Sequence, residues 1–294
     1  MVSKDQKRWR IVAHIVLIFF TAMAILPFLL LIIASFTDET VALLNGYSYI
    51  PEKFSLDAYE YIWASRSTYL KAYGMTILVT AIGTTLSVVL TALTGYVLSK
   101  RNLPGVKIMN FVVIFTMLFN GGLVATYITY VTLFNIKSNP VAALVVPNLL
   151  MNAFMVMLVR NYFATSIPEE IYESARIDGA SEITIFIKLV LPLSVPILAT
   201  VGLMTGISYW NDWQNSLYYV SNKDYYTIQA ILNSINEGIA VLKSLTPAGV
   251  NTADLPSTTI RMAVAVVGIL PILLLYPFFQ KYFAKGLVAG AVKG

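Results

Sequence analysis

Residues 72–98 read AYGMTILVTAIGTTLSVVLTALTGYVL and contain no charged side chain. A helix crosses the hydrocarbon core of a bilayer, about 30 Å thick, with about 20 mostly apolar residues, because each residue adds roughly 1.5 Å. This stretch is long enough to do so. It therefore predicts a transmembrane helix, in which Gly83 and Gly95, beside Ser and Thr residues, indicate close packing against neighbouring helices.

Five further segments pass the same test of length and apolarity. They lie at Ile11–Ser35, Ile108–Val131, Val141–Tyr162, Leu189–Leu217 and Thr259–Phe283. The segment at 189–217 is the least regular, since Pro192 and Pro196 interrupt its start. Together the six segments predict an all-α integral membrane protein with six transmembrane helices.

The composition fits a lipid environment and excludes several kinds of chemistry. Hydrophobic residues make up 57% of the 294 residues and charged residues 12%, against roughly a quarter charged in soluble domains. The mean hydropathy is +0.73. No cysteine and only one histidine, His14, are present, so a metal site or a catalytic triad is not expected. The net charge of +5 forms no basic stripe with interleaved aromatics, so nucleic acid is not an expected partner.

The Lys and Arg residues predict the orientation in the membrane, because they are enriched on the cytoplasmic side. A cytoplasmic amino terminus places 13 of the 20 inside and 7 outside; the seven are Lys53, Arg66, Lys71, Lys137, Lys223, Lys243 and Arg261. Residues 1–10 and 284–294 are then cytoplasmic ends, and 11–283 form the membrane domain. The first apolar run exceeds the roughly 7–15 residues of a signal-peptide core, so a retained helix is predicted.

A polar loop between the fourth and fifth segments carries the most specific pattern. Residues 166–196 read SIPEEIYESARIDGASEITIFIKLVLPLSVP. Ser166 with Glu169 predicts a helix start, Gly179 its end, and Ser181 with Glu182 the start of a second helix. From these residues alone, docking to a partner and lying on the lipid headgroups are equally good interpretations.

The loop resembles the EAA loop of binding-protein-dependent ABC import permeases. The resemblance lies in Glu173-Ser-Ala-Arg-Ile-Asp-Gly-Ala180, Phe186, Leu191-Pro192 and Pro196, with Ser174 and Leu189 as mild departures from the family pattern. Other stretches resemble the carbohydrate-permease branch, and most closely its MalG-like, LplC-type subunits. They are Asn120–Tyr127, Val146–Asn148, the Arg160 region and Tyr209–Trp213.

The resemblance implies the type I permease fold of ABC importers, with a cytoplasmic coupling helix in the loop at 164–196. Its implied ATPase-coupling residues are Glu173, Ser174, Ala175, Asp178, Gly179 and Ala180. It also implies a second homologous permease, two ATPase subunits that bind ATP and Mg²⁺, and a periplasmic or lipid-anchored sugar-binding protein. The implied location is the bacterial cytoplasmic (inner) membrane. This chain has no GxxxxGK[ST] motif, so it is expected to bind no cofactor and to be non-catalytic.

Polar residues inside membrane helices usually face a cavity or a partner helix, and they give the candidates for a substrate pathway. These are Asn120, Asn148, Asn152, Tyr209, Asn211 and Asp212. For the aromatic residue among them, Tyr209, packing or an interfacial aromatic belt is favoured over substrate contact. By position alone, the external loop at 218–257 corresponds to a segment that enters the binding protein in MalG-like subunits; a structured lid is the alternative.

Two other functions remain open from the residues. An ion-gradient-driven sugar transporter needs intramembrane acids paired with basic groups, which are scarce here. A membrane enzyme needs a cluster of His, Asp or Cys, which is absent from the sequence. The resemblance favours an importer of oligosaccharides from complex polysaccharides, such as alginate-like or pectin-like fragments.

Overall fold

The structure is a computed structural model that describes residues 4–100, 102–245 and 258–291. Its described part is built from helices, and the only pairing of extended backbone there is one antiparallel bridge between Thr37 and Phe54. The helices are α1 Lys4–Ser35, α2 Glu39–Asn45, α3 Asp57–Ala64, α4 Arg66–Ser99, α5 Val106–Leu118, α6 Gly122–Ile128, α7 Pro140–Val145, α8 Ala153–Ser166, α9 Glu169–Ile177, α10 Glu182–Ile185, α11 Leu191–Leu193, α12 Val195–Trp210, α13 Gln214–Tyr219, α14 Ile228–Leu245 and α15 Thr258–Ala291.

The first of two compact units comprises residues 1–69 and 232–271. In α1 every side chain from 7 to 29 is exposed, as expected for an apolar helix that faces lipid or another subunit. The segment after α1 folds back on itself: Phe36 stacks on Tyr59 at 4.7 Å between ring centroids, and the Tyr59 hydroxyl lies 2.8 Å from the Ser35 hydroxyl. This part of the chain is a folded segment and not a bare linker.

A carboxylate from the same segment fixes the start of α15. The two oxygens of Glu39 accept hydrogen bonds from the backbone N–H groups of Thr258 and Thr259, at 2.8 and 3.0 Å. The first N–H groups of a helix have no partner within it, so a carboxylate there satisfies them and also suits the positive end of the helix dipole.

The second unit comprises residues 70–231 and 272–294, and it contains all of α4 except its first turn. A Cβ atom on Gly83 would lie 2.4 Å from Cζ of Tyr209, and one on Gly95 would lie 2.9 Å from Cγ1 of Val159. Helices in membranes pack through small residues that allow their backbones to approach. The predicted close packing at Gly83 and Gly95 is therefore confirmed.

Three of the predicted segments are not single straight helices. Segment 108–131 becomes α5 and α6, and the chain bends by 119° between them. This turn requires a left-handed backbone at Gly122, where φ is +81°. Segment 141–162 becomes α7 and α8, with a break at 146–152. Segment 189–217 bends by 79° before α12, where Pro196 has no N–H to continue the helix.

Two helices in the described ranges are long and apolar enough to cross a membrane, Lys7–Ser35 and Arg66–Ser99, or up to four spans if each bent pair counts as one. A shorter apolar helix is described at Thr258–Leu274. The external loop predicted at 218–257 contains the end of α13 and the whole of α14, while residues 246–257 lie outside the described residues.

Candidate functional site

The predicted loop is a pair of helices, with one correction at its start. Ser166 is the last residue of α8, and α9 begins at Glu169 after Pro168. The prediction that Ser166 caps this helix was wrong, because Pro168 forces the chain out of helical geometry and restricts the residue before it as well. Glu169 and Glu170 still occupy the first turn of α9, where acidic side chains suit the helix dipole.

Gly179 ends α9 in the predicted way. Its φ is +80°, in the left-handed region, and its N–H donates to the Arg176 carbonyl oxygen at 3.0 Å. The N–H of Ala180 donates to the Ala175 carbonyl oxygen, also at 3.0 Å. These two bonds form a Schellman motif, which reverses the chain within a few residues.

The second helix of the pair starts where the sequence placed it. The Ser181 hydroxyl accepts a hydrogen bond from the Thr184 N–H at 3.3 Å and caps α10. The chain then continues through a wider π-helical turn at Phe186–Val190 and through α11 to α12. The pair α9–α10, which we call the loop helices, is thus joined to the membrane helix α12 without an intervening coil.

Burial divides the predicted coupling residues into two groups. Ala175 is only 7% exposed and packs in one apolar cluster with Tyr172, Phe163 and Ile185, and Ala180 packs partly against it. Glu173, Ser174, Asp178 and Gly179 are exposed. Ala175 and Ala180 therefore hold the loop helices in place, and only the second group has a free surface.

Two isoleucines that the sequence analysis did not single out lie on the exposed side of the loop helices. Ile177 is 85% exposed and Ile183 is 72% exposed. Exposed isoleucines on a polar loop are unusual, and the sequence alone does not reveal them, because their exposure depends on which side of each short helix packs against its neighbours. We call Glu173, Ile177, Asp178 and Ile183 the exposed face.

Charged side chains on and beside the loop helices contact one another. The Arg176 guanidinium donates from Nε to Oε1 of Glu182 at 2.9 Å, and its other nitrogen is 3.6 Å from Glu169. The hydrogen bond to Glu182 raises the pKa of Arg176. Lys100 lies over the Tyr172 ring, with Nζ 3.1 Å from the centroid. Burial lowers the pKa of Lys100 and raises the pKa of the Tyr172 hydroxyl to about 12.

The substrate-pathway candidates do not form one cluster of free polar groups. Tyr209 is 1% exposed, and its hydroxyl donates to the Val145 carbonyl oxygen at 2.8 Å. Asn152 caps α8 by accepting from the N–H groups of Phe154 and Met155. The polar groups of these two side chains thus form hydrogen bonds that stabilise the fold.

The other candidates lie at turns. Asn120 is exposed and accepts a hydrogen bond from the Gly122 N–H at 2.9 Å, and Asn148 is exposed with φ of +64°. Asp212 accepts from the N–H groups that begin α13, and Asn211 accepts from the Gln229 side chain at 3.3 Å. Asn120 and Asn148 are thus both exposed and lie at helix breaks.

Asn215 was missed as a functional residue and is fully buried in the fold. Its side-chain amide donates to the carbonyl oxygens of Pro147 at 3.0 Å and of Leu144 at 3.5 Å. The break after α7 frees these carbonyl groups, and a broken helix at membrane depth is stable only if such groups find new partners. Its amide side chain within a largely apolar segment is the sequence feature that could have indicated a buried hydrogen-bonding role.

A second missed feature is the pair Gly202 and Gly206 on α12. They are spaced as in GxxxG, the helix-packing motif of membrane proteins. A Cβ on Gly206 would lie 3.4 Å from Oγ1 of Thr84, and one on Gly202 would lie 3.6 Å from Cγ2 of Val88. Helices α4 and α12 thus lie close together, and this face of α4 borders a cavity of about 270 Å³.

The geometry defines a class of protein: a helical membrane protein with broken spans and an exposed pair of short helices joined to one of them. Among the described residues, no group of three His, Asp or Glu side chains is arranged to hold a metal ion. The comparisons with known proteins identify the family. Residues 93–288 match the model of the binding-protein-dependent transport system inner membrane component, and the chain belongs to this family.

Relatives of similar length agree with this assignment. The chain is 39% identical to the polygalacturonan/rhamnogalacturonan transport system permease protein YtcP of Bacillus subtilis, over 95% of this chain and 96% of that protein. It is 37% identical to Protein LplC of the same organism, over 93% and 90%. The family consists of non-catalytic permease subunits of ABC transporters, and separate ATPase subunits hydrolyse the ATP.

A solved structure shares the fold. It is the crystal structure of a bacterial ABC transporter involved in the import of the acidic polysaccharide alginate, one chain of which superposes with a TM-score of 0.77 at 26% identity. The match covers 96% of this chain and 99% of that chain. The predicted type I permease fold is confirmed, and the alternative of an ion-gradient-driven transporter is set aside.

Proposed function

We propose that this chain forms one half of the membrane pore of an ABC importer for acidic oligosaccharides. Two relatives of this chain support an acidic substrate, since one is named for polygalacturonan and rhamnogalacturonan and one belongs to an alginate importer. The complete importer contains a second permease, two ATPase subunits and an extracytoplasmic binding protein.

The observation that carries the proposal is the exposed face of the loop helices. Ile177 and Ile183 present apolar surface beside the carboxylates of Glu173 and Asp178, on a short helix pair that continues into α12. Exposed apolar side chains ringed by charge are typical of a protein–protein contact. The ATPase subunit is the partner to which this face binds, with Gly179 setting the angle between the two helices.

Orientation follows from the same assignment. The loop helices must lie in the cytoplasm to meet an ATPase, and this location agrees with the excess of Lys and Arg on that side. Both termini are then cytoplasmic, and α2 and α3 lie outside, where the binding protein delivers the sugar.

The exposed face is tested by replacing Ile177 with Ser and measuring how much ATPase co-purifies with the tagged permease. We expect a loss of about tenfold or more, because a buried isoleucine contributes roughly 1.5–3 kcal/mol at an interface. Ile50→Ser is the matched control, since Ile50 is also 85% exposed but lies in the segment between α2 and α3. Equal co-purification of both variants would contradict the docking role.

The substrate is tested by uptake of labelled oligosaccharides into cells that carry the complete importer. Oligogalacturonates and alginate oligosaccharides are compared with neutral arabino-oligosaccharides of the same length. We expect uptake of at least one acidic series and none of the neutral one. Uptake of the neutral series alone would overturn the acidic substrate while leaving the permease role intact.

For the pathway itself we retain Asn120 and Asn148, because their side-chain amides are exposed at helix breaks and can bind sugar hydroxyls. Asn120→Ala and Asn148→Ala are expected to raise the concentration of sugar needed for half-maximal uptake. Asn222→Ala, which removes an amide from an external turn, serves as the control.

A further inference from the structure

One carboxylate joins the end of α4 to both loop helices. Oε2 of Glu182 accepts a hydrogen bond from the Tyr96 hydroxyl at 2.6 Å, and Oε1 accepts from Nε of Arg176 at 2.9 Å. Tyr96 is in the last turn of α4, Arg176 in the last turn of α9, and Glu182 is the first residue of α10. Each oxygen thus binds a different helix.

Aromatic packing surrounds the Tyr96 ring that donates to this carboxylate. The Tyr96 ring lies 5.0 Å from the Phe186 ring, 6.4 Å from Phe163 and 6.4 Å from Tyr172, measured between centroids. Lys100, just after α4, adds a cation–π contact, with Nζ 5.0 Å from the Tyr96 centroid. Tyr96 is therefore only 8% exposed and its hydroxyl is largely shielded from water, although the Glu182 side chain is 56% exposed.

The end of α4 has little freedom to move away from its neighbours. Gly95 contacts Val159 and the backbone of Arg160 on α8, and Nε of Arg160 donates to the Leu98 carbonyl oxygen at 3.4 Å. A displacement of α10 must therefore either break the bond between Tyr96 and Glu182 or carry the end of α4 along. Breaking the bond is unfavourable, because it leaves a buried hydroxyl group without a partner.

Helix α4 is also the one that packs on α12 through Gly202 and Gly206. A displacement that reaches α4 at Tyr96 is therefore passed to a pair of closely packed membrane helices. The loop helices have a second connection to α12 through the chain itself, but that route bends by 79° at Ser194.

We propose that Tyr96 and Glu182 are a positioning pair that ties the loop helices to α4, so that the loop and α4 move as one body when the ATPase moves the loop. This inference rests on the proposed function, since it takes the ATPase to be the source of the motion. Neither residue touches the sugar or the nucleotide.

The test measures the distance between the loop side and α4. If Tyr96 had a merely structural role, Tyr96→Phe would not change how this distance responds to trapping of the ATPase. The chain has no cysteine, so spin labels at Lys188→Cys and Ala81→Cys report only the separation between the loop side and α4. Both side chains are exposed. In the reconstituted importer, we expect the same distance without nucleotide and after trapping with ATP and vanadate. In a Tyr96→Phe background, trapping should shift or broaden it.

The second measurement is the ratio of sugar imported to ATP hydrolysed in proteoliposomes, with oligogalacturonate as the sugar. Tyr96→Phe is expected to lower this ratio about tenfold, which corresponds to about 1.4 kcal/mol, close to the lower end of the roughly 1.5–3 kcal/mol of a hydrogen bond to a charged group. Glu182→Gln should lower it similarly, and the double variant no further. Tyr59→Phe removes a hydrogen bond of 2.8 Å far along the chain from the loop and should leave the ratio unchanged.

The outcomes separate the two hypotheses. If no ATPase co-purifies with the unmodified chain, the proposed function fails. If the ATPase co-purifies and the distance changes in the unmodified background on trapping, the loop moves independently of α4 and the positioning role is overturned. An unchanged ratio in both Tyr96→Phe and Glu182→Gln would also overturn it.

Discussion

The hydroxyl of Tyr209 donates a 2.8 Å hydrogen bond to the carbonyl oxygen of Val145, the last residue of α7. The same tyrosine ring covers Gly83 of α4. One side chain of α12 thus fills the space that a glycine leaves on one helix and satisfies a backbone group that a broken helix frees on another. Tyr209 is therefore part of the packing that allows a helix to break inside the membrane domain.

Removing the Tyr209 hydroxyl should destabilise the permease. In Tyr209→Phe the Val145 carbonyl group stays buried without this partner, which costs about 1–3 kcal/mol. The measurement is thermal unfolding of the detergent-solubilised protein. Tyr225→Phe is the control, because that ring is 40% exposed; equal melting temperatures for the two variants would contradict the role of the bond.

Adding one methyl group to Gly83 should have a similar effect for a steric reason. The new Cβ would overlap the Tyr209 ring, and overpacking of this kind costs about 1–3 kcal/mol. Gly74→Ala, on the same helix, has no atom within 4 Å of the added carbon and should be neutral or slightly stabilising. Folding yield and melting temperature of the two alanine variants test the difference.

Gly179 tolerates some side chains and not others. The position has open space around it, so a substitution is unfavourable only through the positive φ, by about 1–2 kcal/mol for most residues. Gly179→Val should keep the subunit in the membrane but lower sugar uptake about tenfold or more, whereas Gly179→Asn should retain uptake, because asparagine adopts left-handed backbone more readily. Normal uptake in the valine variant would remove Gly179 from the coupling assignment.

The acidic residue Asp38 should make the first unit sensitive to low pH. The hydrogen bond from Lys53 Nζ, 2.6 Å long, is the main cause that lowers the pKa of Asp38 from 3.8 to about 2. The stabilisation is fully present above pH 3.8 and is lost as the pH falls through about 2.

Hydrogen exchange of the amides at residues 36–57 measures this loss directly. The difference in protection between the unmodified protein and Lys53→Met should be constant above pH 5 or so and should disappear near pH 2, since the pair no longer forms once Asp38 is protonated. Lys71→Met is the control, because Lys71 and Asp224 form a pair that is exposed on both sides. A difference that does not depend on pH would exclude the ion pair as its cause.

The orientation of the chain in the membrane can be tested by labelling cysteines placed at two equally exposed isoleucine positions. Ile177 and Ile50 are each 85% exposed, and the chain contains no cysteine. A membrane-impermeant maleimide added to intact cells should label Ile50→Cys and not Ile177→Cys, while permeabilised cells that lack the ATPase subunit should show both labelled. Labelling of Ile177→Cys in intact cells would reverse the proposed topology.

The sequence predicted the parts of the loop that depend on local chemistry. The positive φ at Gly179 and the cap at Ser181 follow from what glycine and serine do at helix ends, whatever surrounds them. The start of α9 was predicted wrongly for an equally local reason, since the effect of Pro168 on the preceding residues outweighs the capping tendency of Ser166.

Long-range contacts were beyond prediction. Tyr209 and Asn152 were candidates for the substrate pathway because polar groups in apolar segments draw attention, yet their partners are backbone groups. Tyr96 and Glu182 lie 86 positions apart in the chain, and although Glu182 was predicted at a helix start, nothing in the sequence connected it with Tyr96. The exposure of Ile177 is also invisible without knowing which side of α9 packs on Tyr172 and Phe163.

The apolar run at 72–98 and its five counterparts determined that this is an integral membrane protein, because hydropathy is a property of each residue and adds along a helix. The loop pattern determined its family. Only the tertiary structure decided which segments break and which polar residues support the breaks, because a freed backbone group must be paired by a side chain from elsewhere in the fold. It also decided that Ala175 faces inward and Ile177 outward, since this depends on how α9 packs against its neighbours.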